Sequence, residues 1–347
     1  MKKAITFIFS VFFITISSKA QELENIILAK GDAEKLTEAY LNPAMKGLIY
    51  SINGGWYHTA KVHKKLGFDI TIGANVSFIP EKDEIFNLAA LNLSSNSNIT
   101  NAVATSPTVA GSQSITPAEV KFTLRDNQGN EIGEADFALP KGVKEDLPAN
   151  AVAAPVIQVG LGLPFKLEAM LRYVPKLKFD DVKAGLFGIG LKKEITDWFG
   201  PMDKTPLHVS LLASYTNMSA DYLIENRNTG SVSTQNAAAE FDLNAYSIQA
   251  IASLNFPIIN IYGGIGYNGG NTSLGMVGSY TLSYQSSIPA APSIQETITN
   301  PLSIKNNTGS FNTTIGARLS LGFFKLFGSY TLQEYNTLNA GIAFSFR

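Results

Sequence analysis

Between Leu66 and Phe78 the sequence alternates without a break. Leu66, Phe68, Ile70, Ile72, Ala74, Val76 and Phe78 fall on one parity, and Gly67, Asp69, Thr71, Gly73, Asn75 and Ser77 on the other. Successive side chains of a strand point to opposite faces, so this run is a strand with one apolar face and one small, polar face. It outlasts the roughly 5–6 residues of an ordinary strand and suits the roughly 9–11 that a tilted strand needs to cross a bilayer. The pattern returns at the C-terminal end. There Phe311, Thr313, Ile315, Ala317, Leu319, Leu321 and Phe323 oppose Asn312, Thr314, Gly316, Arg318, Ser320 and Gly322. After a further strand near 325–335, Leu338, Ala340, Ile342, Phe344 and Phe346 oppose Thr337, Asn339, Gly341, Ala343 and Ser345. Two architectures accommodate such faces. A soluble sandwich buries the apolar face between sheets, whereas an outer-membrane barrel turns it to lipid and lines its lumen with the small polar face. Strand length favours the barrel.

Lys2 and Lys3, the apolar run Ala4 to Ile16, and the small residues Ser18 and Ala20 have the three-part form of a signal peptide over 1–20, with cleavage expected before Gln21. Past Ile16 every apolar run falls short of the roughly 20 residues of a spanning helix. The exported chain is therefore either water-soluble or a closed barrel, the alternative to helices in lipid. A net charge of -1 over 347 residues supplies no basic excess to attract nucleic acid. The absence of cysteine excludes disulfides, thiolate metal sites and a lipid-modified N-terminal cysteine.

Along the mature chain, Leu23, Ile26, Ile27, Lys30, Ala33 and Leu36 recur at helical spacing, and Asn42 and Pro43 are expected to end the helix. Residues 21–45 thus form a short N-terminal periplasmic helix, serving as a plug or as a tether. From Lys46 the period changes to two, with Leu48, Tyr50, Ile52, Gly54 and Trp56 on one parity, and the barrel is expected to occupy 46–347. Further strands are expected near 85–93, 156–163, 165–174, 182–192, 206–217, 240–256 and 258–268, with a hairpin near 120–132 inside a polar stretch. Tight joints at Pro164 and Pro257 and between Leu321 and Leu326 contrast with long polar stretches near 94–150, 218–239 and 269–310. Short turns on the periplasmic side and long loops outside are the asymmetry of outer-membrane barrels. The expected fold is all-β: a closed antiparallel transmembrane β-barrel of about 12 to 14 strands with a short N-terminal helix. Aromatic residues at strand ends, among them Trp56, Tyr57, Phe165, Trp198, Phe199, Tyr215, Phe256, Tyr267 and Phe323, suit girdles at the two membrane surfaces.

Few residues invite chemistry. Gly264-x-Gly266-x-x-Gly269 matches a dinucleotide fingerprint as a string, but no helix follows it, so strand bending or close packing explains these glycines better. His208 and Ser210 share the spacing of outer-membrane phospholipases, yet their parity points them to the lumen, away from lipid. His58 and His63, flanking Lys61 among basic residues, suit an external loop better than a metal site. The informative charges are those on the polar parity. A charge facing lipid costs roughly 2–4 kcal/mol for Arg or Lys at the midplane. Asp69, Lys166, Glu168, Arg172, His208 and Arg318 are therefore the lumen-lining candidates, either selecting solutes or pairing with one another across the barrel. No catalytic residue, metal site or cofactor is expected.

Tyr40-Leu41-Asn42-Pro43-Ala44-Met45, ahead of the first expected strand, resembles the entry to the barrel in long-chain fatty-acid outer-membrane channels (FadL-like). Gly55-Trp56-Tyr57-His58-Thr59-Ala60, Leu66-Gly67-Phe68-Asp69 and Asp197-Trp198-Phe199-Gly200-Pro201 resemble an uncharacterised family of exported Gram-negative outer-membrane β-barrels. The first resemblance implies an N-terminal plug and delivery of hydrophobic molecules. Together these readings point to a passive channel or carrier for small solutes, hydrophobic ones among them, in the cell outer membrane. The alternative is a non-conducting structural or partner-binding barrel. The expected partners are outer-membrane lipids, the barrel assembly machinery and a small solute.

Overall fold

The computed structural model describes residues 20–179, 181–200, 205–227 and 230–346. The signal peptide assigned to 1–20 therefore lies, Ala20 apart, outside the described residues. In chain order the elements are helices α1 (Ala20–Asn25) and α2 (Ala33–Asn53), then strands β1 (Phe68–Phe78), β2 (Ile85–Asn87), β3 (Ser97–Ile99), β4 (Thr105–Pro107), β5 (Glu119–Arg125) and β6 (Glu131–Ala138). There follow β7 (Ala151–Leu163), β8 (Leu167–Phe179), β9 (Val182–Glu194), β10 (Leu207–Ile224), β11 (Val232–Asn255), β12 (Ile259–Ser286), β13 (Ile294–Thr299), β14 (Leu302–Leu321), β15 (Phe324–Leu332) and β16 (Thr337–Phe346).

Among the described residues, ten strands close into an antiparallel ring in the order β1, β7, β8, β9, β10, β11, β12, β14, β15, β16 and back to β1. The first and last strands seal it, with Phe68 opposite Phe346 and Ser77 opposite Thr337. The closed barrel is as expected; the count is smaller than the 12 to 14 read from the sequence. Two expected strands lie elsewhere: 46–56 is not strand, and 85–93 contributes only the short β2 outside the ring. The strand-like run near Thr272 to Tyr280 continues β12 rather than starting a new pair. For the same reason the expected loops at 218–239 and 269–310 shrink, because β10 to β14 project beyond the rest of the wall.

The largest departure is the N-terminal segment. Helix α2 runs through Pro43 to Asn53, and residues 54–67 continue as an irregular leg into β1. Leu48, Tyr50 and Ile52 alternate as a strand would, but Ile49, Ser51 and Asn53 between them are equally buried. A helix buried on every side has lost the one-sided pattern by which helices are recognised. Here the barrel encloses it. Pro43 removes one N–H donor, and Tyr40, Ala44 and Met45 around it are packed away from solvent.

The segment enters from the end bearing the long connections. Ile26 to Leu36 share a core with Val120 and Phe122 of β5, Phe137 of β6, and Tyr280 and Tyr284 of β12, which together form a cap over that end of the barrel. Lower down, Leu48 to Ile52 pack on Val152, Val174, Leu186, Met218 and Leu243 of the wall. The leg emerges at the tight-turn end, where the Leu66 N–H donates to the Gly162 carbonyl at 2.9 Å. The plug thus threads the lumen from the cap end to the tight-turn end and extends to residue 67, beyond the expected 21–45.

The outer face is apolar. Phe68 is 38% exposed, Ile248 65%, Ile315 67% and Phe311 83%. An uninterrupted belt of this kind far exceeds the few hundred Å² of apolar patch that a water-soluble monomer shows. Phe165, Trp198, Phe199, Phe256 and Phe323 are exposed at the tight turns, and Tyr173, Phe187, Tyr215, Tyr246, Tyr267 and Phe311 mark a second row above them. From Phe256 to Tyr246 the chain rises about 34 Å along β11. With a tilt of about 40° this is roughly 26 Å of height, matching the about 25 Å apolar band of outer-membrane barrels. Trp56 and Tyr57, expected in these girdles, are instead buried in the lumen.

Candidate functional site

The functional region is the seam between plug and wall. At the C-terminal end of α2 the last carbonyls have no partners within the helix and must find them elsewhere. The barrel supplies them. Arg172 of β8 donates from Nη1 to Ile52 O and from Nη2 to Gly54 O, both at 2.9 Å, and from Nε to Gln158 Oε1 at 2.9 Å. Asn75 of β1 donates to Ser51 O at 2.7 Å and Gly54 O at 3.0 Å, while Asn53 reaches Gly269 O at 3.0 Å. A guanidinium at a helix C-terminus also meets the negative end of the helix dipole.

Beyond the helix, Gly55 turns the chain with φ +65°, and a Cβ there would lie 2.4 Å from Asn339 Nδ2. Trp56 then lies against β9 where side chains are missing: a Cβ on Gly190 would sit 2.9 Å from its ring, and one on Gly188 3.3 Å. The Arg172 guanidinium covers the ring at 3.9 Å. Tyr57 takes the corresponding space on β12, where a Cβ on Gly264 would meet its hydroxyl at 2.7 Å. Of the glycines of the apparent dinucleotide string, Gly264 makes room for the plug, while a Cβ on Gly266 would meet Ile248 O of β11 and one on Gly269 the Tyr246 ring, so these two serve close packing within the wall.

From His58 to His63 the leg has no regular structure, and its backbone groups are taken up by wall side chains. Lys192 Nζ donates to the Thr59 and Lys61 carbonyls, both at 3.4 Å. Ser210 Oγ donates to Ala60 O at 2.5 Å, and Ser253 Oγ accepts from Ala60 N at 3.0 Å. Glu194 accepts from Val62 N at 3.1 Å, and Glu168 from His63 N at 3.0 Å. Irregular backbone at membrane depth is tolerable only when it is satisfied in this way.

The chain's three histidines all lie here. Arg318 Nη1 donates to His58 Nδ1 at 2.9 Å, so the proton of the neutral ring sits on Nε2, 3.2 Å from Asp69 Oδ2. His63 Nδ1 lies 2.9 Å from Glu168 Oε2, and Lys192 Nζ 2.9 Å from Glu168 Oε1. His208 Nδ1 lies 2.7 Å from Glu194 Oε1. Asp69, Glu168, Arg172, His208 and Arg318 therefore face the lumen, and each is engaged with the plug or with a neighbour that holds it. Lys166 does not join them. It lies exposed in the turn between β7 and β8 and pairs with Asp197, because β8 begins one residue later, at Leu167. His208 and Ser210 serve different partners and form no nucleophile pair. His58 and His63, read as part of an external loop, belong to the buried leg.

Lys192, Glu194 and Asn75 are functional residues that the lumen-lining candidates did not include, although Asn75 stands on the polar parity of the first strand. Lys192 and Glu194 share the inward parity of Gly188 and Gly190, opposite Phe187, Ile189 and Leu191. That parity was the available signal.

Above the charged seam, between α2 and the wall from β9 to β14, lies a cavity of about 160 Å³. Leu41, Met45 and Leu48 line it from the plug, and Tyr222, Phe241 and Met276 from the wall. Glu24 and Thr37 line its cap side. Glu24 is tied to Arg227 in the β10–β11 connection at 3.3 Å. Burial pushes its carboxyl up from the ordinary range, against the pull of Arg227.

Comparison with solved structures gives distant likenesses. The attachment invasion locus protein Ail of Yersinia pestis is 9% identical over 81% of this chain and 99% of that chain, with a TM-score of 0.27. The translocator domain of the autotransporter NalP from Neisseria meningitidis is 8% identical over 82% and 89%, with a TM-score of 0.30. The outer membrane protease OmpT from Escherichia coli is 10% identical over 81% and 97%, with a TM-score of 0.31. Scores this low carry no functional inference, and the fold rests on the strand pairings themselves. No curated protein matches the chain. A family model matches residues 1–346, and the chain accordingly belongs to the family of unknown function DUF6588.

Proposed function

We propose that this protein is an outer-membrane carrier that takes up small hydrophobic solutes into the space between its plug and its wall, and is not an open pore. The observation that carries the reading is the cavity beside α2, lined almost wholly by carbon, in a lumen that the chain's own N-terminal segment occupies. The apolar outer belt supports residence in lipid, and the tight turns support a periplasmic placement of that end. The buried charges act as fasteners of the plug. An ion path would need them facing water, and they face the leg instead.

A cavity of about 150 Å³ in a protein core stays dry and accepts a benzene-sized guest. The test therefore uses benzene as the probe. Full-length protein in lipid nanodiscs is titrated calorimetrically, with empty discs subtracted, beside Ala220→Phe, which places a ring in the cavity. Saturable binding that Ala220→Phe abolishes supports the carrier. Absence of binding, or steady ohmic conductance in a planar bilayer, rejects it. The cap favours a second reading as well: its packed core over 26–36 and β5, β6 and β12 presents a fixed surface to a partner.

A further inference from the structure

The ring is not sewn equally all the way round. β7 and β8 pair only from Leu163 opposite Leu167 to Gln158 opposite Arg172, the shortest seam between neighbours among the ten strands. Above that point each keeps its other neighbour: β7 stays on β1 up to Ala151, and β8 stays on β9 up to Phe179. Among the described residues, the facing edges 151–157 and 173–179 share no ladder. The sequence enforces the split. Continued by three residues, the register would set Pro155 opposite Pro175. The Gly162 N–H donates to Gly67 O at 2.8 Å, so even positions of β7 bond to β1, and odd ones, Pro155 included, face β8. A pair at this place would exchange two N–H donors, and proline has none. Pro175 and Lys176 also form a bulge opposite Gly185, which shifts the parity of β8.

Beyond the bulge Leu177 opposes Ala184 and so stands on the lumen face, yet it is 37% exposed where Ala184 is 5%. Its diagonal neighbour on β9, Val182, lines the cavity beside α2, roughly 7–8 Å away. The two ends of the lumen are occupied, one by the cap core and the other by the leg. The split begins at Tyr173, in the upper aromatic row, so its unpaired edges lie at the rim of the apolar band and not in its middle. Resting on the carrier reading, we infer that the split between β7 and β8 is a side portal through which an apolar solute passes between the cap-side leaflet and the cavity. The paired stretch below it is the sill, latched on its lumen side by Arg172 Nε donating to Gln158 Oε1 at 2.9 Å. The solute class is then one that dissolves in lipid before it meets the protein.

The test uses fluorobenzene and the full-length protein in nanodiscs. Fluorine saturation transfer reads its exchange between lipid and cavity, and calorimetry reads its affinity. Pro155→Val/Pro175→Val restores both donors and lets the seam lengthen, while Leu177→Trp fills the mouth; none of the three positions lines the cavity. Each variant should slow exchange about tenfold with Kd unchanged, because a narrowed passage lowers the on-rate and the off-rate together. Pro257→Val, at a tight turn, should exchange as wild type does. Slower amide exchange at 157 and 173 shows that the double variant has zipped; where it has not, Leu177→Trp decides alone. Wild-type exchange rates in Leu177→Trp or in a zipped double variant overturn the portal and leave the carrier intact. So does a slowing shared by Pro257→Val or matched by an equal loss of affinity. Failure of fluorobenzene to bind the wild type removes the cavity as a binding site, and both readings fall together.

Discussion

Arg172 is the residue on which plug retention turns. Its guanidinium makes two 2.9 Å hydrogen bonds to the end of α2 and lies 3.9 Å from the Trp56 ring. Arg172→Met keeps the length of the stem and removes every donor. Gly54 O retains Asn75, whereas Ile52 O loses the partner shown for it. Hydrogen bonds to a charged group contribute about 1.5–3 kcal/mol each, and a desolvated cation over an aromatic ring about 2. Part of this is offset because burying the guanidinium is itself costly. A net loss of about 4 kcal/mol in plug docking is a reasonable order of magnitude. At about 1.36 kcal/mol per factor of ten, that shifts the docking equilibrium roughly a thousandfold. Single-channel recording reads this directly: the wild-type barrel should be silent, and Arg172→Met should show intermittent openings. Protease added on the side of the tight turns should cut within 54–67 in the variant first. A variant that stays silent, resists protease and unfolds at the wild-type temperature would refute the role given to Arg172.

Gly190→Val places a Cβ 2.9 Å from the Trp56 ring and 3.0 Å from Met170 Cε, so overpacking should cost about 1–3 kcal/mol, seen as a lower midpoint of thermal unfolding. Gly55→Ala forces φ +65° on a residue with a Cβ beside Asn339; a loss of about 1–2 kcal/mol is expected in the same assay. Asp32 tests the cap. Burial opposes its ionisation, but hydrogen bonds from the Ser94 and Ser97 side chains and the Ser94 N–H outweigh that and hold its carboxyl below the usual range. With the native value depressed, the stabilisation is fully present above the unfolded value of about 3.9 and drains away as pH falls through the native one. Amide exchange at 26–36 should therefore quicken relative to the barrel strands below about pH 4, and Asp32→Asn should remove that acid-dependent component.

The wall was legible because its code is local. In β1, β14 and β16 each residue declares its face by parity, and one face must be apolar wherever it meets lipid. The plug was not, since Lys46 to Trp56 carries a period-two pattern that enclosure by the barrel made irrelevant. Pro43, which ends helices that must stabilise themselves, sits inside α2 where the surrounding wall overrides it. Parity also found Asp69, Glu168, Arg172, His208 and Arg318, but not what they hold. Asp69, Glu168, Arg172 and Arg318 hold backbone carbonyls, amides and rings of the plug, which carry no charge to mark them, while His208 pairs with Glu194 of the wall. Lys166 shows the limit of parity at a strand end, where a shift of one residue in the boundary decides between lumen and turn.

The central claim is that the ring faces lipid outside and its own N-terminal segment inside. The chain has no cysteine, so single cysteines on β11 at 246, 248 and 250, and at 247 and 249, can each carry a spin label. Collision with oxygen and with a water-soluble nickel chelate is then compared in bilayers. Labels at 246, 248 and 250 should relax with oxygen and not nickel, and those at 247 and 249 with neither, because Ser247 and Gln249 are packed against the plug side. Free access of nickel to 247 and 249 would mean an open aqueous lumen, and oxygen reaching only those two would mean that the barrel's faces are reversed.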